Sequence, residues 1–167
     1  MILRRNRGYL MHTIRLRGLW QCTPMATTYW TSAGKSEETG TDVPAPGTIK
    51  VPGNWDSVVG SQFRGKVLLQ RYFHKPTGLE ENDVVQIRIE GINALAEVFV
   101  NHEAYGSLTV DREGCVFDVS DSLELRNLLE LVVDFPMLDE HSAELNTLPD
   151  AGGGILGEVQ LEILPAS

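Results

Sequence analysis

The sequence predicts an all-β protein, an antiparallel β-sandwich of about eight or nine strands. Apolar residues alternate with polar ones in segment after segment. That is the period of a strand with one face in a core and the other in water. Gly, Pro, Asn and Asp interrupt these segments at short intervals, as chain reversals require. No segment longer than a turn or two carries helical apolar spacing.

The elements follow in order. Residues 14–20 and 25–31 are the first strand candidates, and 67–74 is the next. Val85, Ile87 and Ile89 then alternate with Gln86, Arg88 and Glu90. Residues 95–101, 104–110 and 115–119 continue the series, and 120–125 suits a short helical turn capped by Ser120 or Asp121. Leu129, Leu131, Val133 and Phe135 alternate with Glu130 and Asp134, and Val159, Leu161 and Ile163 alternate with Gln160 and Glu162. Residues 32–48 and 136–154 are polar, Pro/Gly-rich loops. Long loops on a compact sandwich are where ligand contacts usually lie.

A chain of 167 residues without internal repeats reads as one domain able to bury its own core. We place that domain at residues 14–167, after a basic arm at 1–13. Arg4, Arg5, Arg7, Arg15 and Arg17 fall within the first 18 residues, which hold no acid. A signal peptide would need an apolar stretch after such a start, and none follows. Met11 offers a second reading, an internal start that leaves residues 1–10 loose. Beyond residue 18 all 23 acidic residues stand against nine of the 14 basic ones, a balance that repels phosphate backbones. Nucleic acid is therefore excluded as the main partner. A membrane span is excluded too, because the longest apolar run, 128–133, is broken by Glu130. Two cysteines, Cys22 and Cys115, do not make a disulfide framework. The default address is the cytoplasm.

The motifs that could carry chemistry are thin. Gly152-Gly153-Gly154-Ile155-Leu156-Gly157 matches the dinucleotide G-x-G-x-x-G pattern, but an alternating strand follows it instead of the helix that would meet a pyrophosphate. It reads as a flexible turn before the last strand. His12, His74, His102, His141 and the cysteines show no zinc spacing. No metal and no cofactor is expected. Calcium stays open, since its oxygen ligands come from separate loops and leave no spacing signature. No nucleophile elbow is present. Among Trp20, Trp30, Trp55, Tyr29, Tyr72 and Tyr105, a sugar-stacking platform would have to be exposed beside polar groups. Trp20 and Trp30 lie in predicted strands and read as core. Trp55 follows Pro52-Gly53-Asn54 in a turn and suits either role.

Several ordered motifs resemble the N-terminal sugar-binding domain of glycoside hydrolase family two, the β-galactosidase and β-glucuronidase group. They are Val51-Pro52-Gly53-Asn54-Trp55, Arg71-Tyr72-Phe73-His74-Lys75-Pro76, Ile87-Arg88-Ile89-Glu90-Gly91-Ile92-Asn93-Ala94 running on to Val98-Phe99-Val100-Asn101, Phe117-Asp118-Val119-Ser120, and Gly153-Gly154-Ile155. The resemblance implies a jelly-roll sandwich of the galactose-binding-like fold. It departs at Leu68-Leu69-Gln70, at Asn101-His102 and at Gly157, where the family carries aromatic and basic groups or an Asn-Gly turn. The family's catalytic glutamates belong to a barrel that would follow this domain, so no enzyme activity is expected. Asn93 matches the family asparagine that reaches the sugar subsite, and Asp139 is the counterpart of a loop aspartate. Asn93 equally suits a turn, because Asn tolerates a left-handed backbone. The expected function is therefore non-catalytic carbohydrate binding through Trp55, Asn93 and Asp139. The alternative is a structural or protein-interaction module, with another protein domain or a second copy as partner in place of a saccharide.

Overall fold

The structure is a computed structural model, described for residues 2–6, 9–109, 114–138 and 152–166, with side chains from residue 11 onward. The strands are β1 (Ile2–Asn6), β2 (Tyr9–Arg15), β3 (Gly18–Trp30), β4 (Ser36–Gly40), β5 (Gly47–Val51), β6 (Gly53–Asn54), β7 (Gly65–His74), β8 (Val84–Glu90), β9 (Ile92–Asn93), β10 (Leu95–Val100), β11 (Glu103–Leu108), β12 (Gly114–Asp118), β13 (Arg126–Phe135), β14 (Gly154–Ile155) and β15 (Val159–Leu164). A one-turn helix α1 (Asp56–Val59) and a 3-10 turn at Ser120–Ser122 interrupt them.

The strands form a jelly-roll sandwich. One sheet has the order β1-β2-β15-β8-β12; the other runs β11-β10-β13-β7-β3-β4, with β5 also on β3. All the pairings between these strands are antiparallel. Inward residues of the two sheets interdigitate: Val85, Ile87, Ile89, Val159 and Leu161 face Trp20, Val67, Leu69, Val98, Leu129, Leu131 and Val133, all buried. A third, small sheet of order β6-β14-β9 lies at one end.

Several departures from the sequence reading have physical causes. The segment 14–20 is split: Ile14 belongs to β2 in one sheet and Trp20 to β3 in the other. Gly18, at a φ of 103°, supplies the turn that a side chain would resist. Residues 9–13, assigned to the arm, pair with the hairpin partner β1, and His12 and Thr13 pair with Ile163 and Glu162 of β15. Met11 and Thr13 are buried there. Within the loop 32–48, β4 is an edge strand with exposed residues at nearly every position, so it offers no apolar alternation to read. Strand β3 passes through Pro24 by a register shift between Pro24 and Ala26, the kind of irregularity that accommodates a residue without an N–H. At 120–125 the cap differs as well, because Asp118 Oδ1 accepts from the Ser120 N–H at 3.0 Å.

Candidate functional site

Two of the three expected site residues meet at the small sheet. β14 lies between β6 and β9, so Gly154 is in register with Asn54 on one side and Asn93 on the other. The Asn93 Nδ2 donates to the Gly152 carbonyl at 3.4 Å, and the Trp55 N–H donates to the Gly153 carbonyl at 3.0 Å. The run 152–154 is therefore a ribbon held from both sides, not the flexible turn expected. A Cβ on Gly152 would lie 2.4 Å from Asp56 Oδ1, and one on Gly153 would lie 2.0 Å from the Trp55 ring. The glycines are required by close approach.

Trp55 is not a platform. It is fully buried, edge-on to Phe63 at 5.9 Å and to Phe135 at 6.4 Å. It caps the core beneath the glycine ribbon, and no ring face is left for a sugar. Asn93 is 4% exposed and is followed by a cis peptide to Ala94. Asp139 lies outside the described residues. Among the other aromatic candidates, Trp20 is fully buried and donates from Nε1 to the Leu16 carbonyl, while Tyr72 is 50% exposed on the far side of the seven-stranded sheet.

Asp56 was not singled out in the sequence, where it reads as an ordinary turn acid. Its backbone N–H donates to Asn54 Oδ1 at 3.0 Å. Its Oδ1 is buried and finds no hydrogen-bond partner among the described residues. A buried oxygen without a donor is costly, so this carboxylate is suited to accept from a ligand hydroxyl. The signal available beforehand was the glycine run itself, since consecutive glycines mark places where other groups come close. Among the described residues no three His, Cys, Asp or Glu side chains cluster to hold a metal, and no helix is long and apolar enough to cross a membrane. A cavity of about 490 Å³ lies at the opposite end of the sandwich, between His12, Ile14, Leu79 and Ile163. That is where β8 begins, whereas Asn93 follows its end.

No protein-family profile matches the chain, and no curated protein sequence does. Solved structures do. The chain superposes on a β-glucuronidase of Bifidobacterium dentium, solved with coumarin-3-O-glucuronide, at a TM-score of 0.70 and 20% identity over 98% of this chain and 31% of that one. It superposes on a GH2 β-galacturonidase from Eisenbergiella tayi bound to galacturonate at 0.64 and 21%, over 91% of this chain and 24% of that one. A putative β-galactosidase from Bacteroides fragilis matches at 0.62 and 24%, over 92% and 23%. The chain has the fold of a domain of family two glycoside hydrolases. Identities at this level show the fold alone. The chain spans between 23% and 31% of the length of these three enzymes.

Proposed function

We propose that the chain is a non-catalytic carbohydrate-binding domain whose sugar-facing surface is the loop end around Asn93, Asp56 and the Gly152–Gly154 ribbon. The observation that carries this reading is the convergence of an amide and an unpartnered carboxylate oxygen on bare backbone. Amides and carboxylates make two-point hydrogen bonds to neighbouring hydroxyls. The fold supports it, because the matched enzymes include ones solved with a glucuronide or with galacturonate. With Trp55 in the core, recognition rests on hydrogen bonds and not on stacking, which points to weak, millimolar-range affinity. Bond cleavage is left to the barrel that, by the resemblance, carries the family's glutamates. The test is the thermal unfolding midpoint against a panel of neutral hexoses and uronates. Ligand at about 100 times its dissociation constant adds about 2.7 kcal/mol, a rise of several degrees. That rise is expected to shrink in Asn93→Ala; a rise that Asn93→Ala leaves unchanged, or no rise with any sugar, overturns the reading.

A second reading, a docking module, is favoured by the outer face of the seven-stranded sheet. Leu19 is 69% exposed there, Tyr72 lies beneath the Arg126 guanidinium at 4.0 Å, and Leu68 and Val132 sit side by side. Tyr, Arg and Leu exposed together are ordinary interface material. Sedimentation of the isolated chain at rising concentration tests for a self-associating face.

A further inference from the structure

We infer that the outer face of the seven-stranded sheet holds a second, separate binding groove, suited to a neutral polyhydroxylated ligand of about monosaccharide size. This inference does not rest on the Asn93 surface. Register places Lys66, Asp134 and Leu95 in one row across β7, β13 and β10, and Val132, Glu97 and Ser107 in the neighbouring row across β13, β10 and β11. Together with Ser36 and Thr109 these residues line a groove of about 290 Å³. That is near the lower end of the roughly 300–1,000 Å³ range of ligand pockets.

The groove is built around a buried charge. Asp134 is 6% exposed although it points away from the core, and its Oδ1 accepts from Thr28 Oγ1 at 2.6 Å. A carboxylate so placed needs donors. The Lys66 ammonium lies across from it in register, yet its ion pair is with Glu38, at 3.6 Å. The Ser36 Oγ is buried at the groove and finds no partner among the described residues. The Ser36 hydroxyl, which can donate and accept, and the Asp134 carboxylate, which accepts and already takes one bond from Thr28, thus suit a ligand that both donates and accepts. Hydroxyl groups do both. Leu95 and Val132 supply apolar surface for the C–H side of such a molecule, the usual mixture in small-ligand sites. Asp134 and Glu97 outweigh Lys66, which Glu38 already engages, so an added carboxylate on the ligand would be repelled. The groove therefore prefers a neutral hexose to the corresponding uronate.

The experiment is an amide chemical-shift titration of the whole chain with D-glucose, D-galactose and D-glucuronate. Ser107→Trp, at an exposed position, would fill the groove without touching the core; Asp134→Asn keeps an acceptor for Thr28 but removes the charge. The expected result is saturable shifts at Ser36, Leu95, Ser107 and Thr109 with a neutral hexose. Glucuronate should bind several-fold more weakly, and Ser107→Trp should weaken binding by about tenfold or more, equivalent to about 1.4 kcal/mol. Asp134→Asn should weaken the neutral sugar and narrow its advantage over glucuronate. Absence of shifts in these residues with every sugar overturns the inference, as do shifts that survive Ser107→Trp. Shifts confined to Asn54, Ile92 and Gly153 would uphold the Asn93 surface and overturn the groove.

Discussion

Gly153 lies flat against the Trp55 indole, so close that a Cβ on the glycine would fall 2.0 Å from a ring carbon. The contact joins the start of the last sandwich segment to the buried end of the turn at residues 52–55, and it decides the role of both. Trp55 closes the core under the loop end, and Gly153, itself buried, packs directly on its ring. Gly153→Ala should therefore force the ring or the ribbon to move. The expected cost is about 1–3 kcal/mol, the range for overpacked cores, read from urea unfolding. By contrast, Gly34→Ala meets no atom within 4 Å and has only its φ of 76° to oppose it, so it should cost about 1 kcal/mol.

Trp55→Ala should destabilise by about 3–5 kcal/mol, as large aromatic deletions in cores do. Asn93→Ala should cost less, because it removes a small polar side chain, with its long bond to the Gly152 carbonyl, and not a large aromatic from the core. Emission from Trp20 and Trp55 should not report sugar binding, since both are sealed from solvent, whereas Trp30 is only half-buried. A ligand-quenched signal from either would contradict the placement of Trp55.

Glu162 lies in the centre of the five-stranded sheet at 1% exposure, on the face away from the core. Arg88 Nε, Gln86 Nε2 and Gln160 Nε2 all donate to it, at 2.8–3.1 Å. Burial opposes its ionisation, but the hydrogen bonds from Arg88, Gln86 and Gln160 and the Arg88 charge outweigh that and lower its pKa. A carboxylate lowered on folding stabilises fully above its unfolded pKa, near 4.3, and loses that contribution as pH falls through the folded value. Stability should hold at neutral pH and decline in acid, and Glu162→Gln should flatten part of that decline. At pH 7 the same variant should lose about 2 kcal/mol, allowing for the partial exposure of Arg88. Chemical denaturation at several pH values measures both.

Cys22 is buried in the core, and burial pushes its thiol up to about 11. Cys115 is only partly buried, and the two are not disulfide-bonded. Thiolate is the reacting species. A disulfide reagent should therefore label Cys115 in the native protein and reach Cys22 only on unfolding. Equal rates at both would contradict the sealed core.

Strands that set an apolar face toward the core and polar side chains on the other were legible from the sequence, even where, as in β15, both faces are buried. The alternation at 85–89, 129–135 and 159–163 matches β8, β13 and β15. What alternation could not reveal was β4, where both faces meet solvent. Nor could it reveal the switch between sheets at Gly18, because Ile14 and Trp20 are both inward-facing and read as one segment. Trp55 was ambiguous for a related reason: a turn position says where the backbone goes and nothing about what the side chain covers. Asn93 was found through the resemblance alone. Asp56 and Asp134 were not found, because each acquires its setting from strands distant in sequence, and a lone acid in a chain with 23 of them carries no signal.

The most direct test of the central claim is a calorimetric titration of the chain with a neutral hexose and a uronate, repeated on Asn93→Ala and on Asp56→Asn. Saccharide binding that loses one site in Asn93→Ala while the site blocked by Ser107→Trp remains, with no hydrolysis of the matching chromogenic glycoside, is the predicted result. No heat with any saccharide, or binding that is unchanged in both variants, would contradict the assignment of the loop end as a sugar-facing surface.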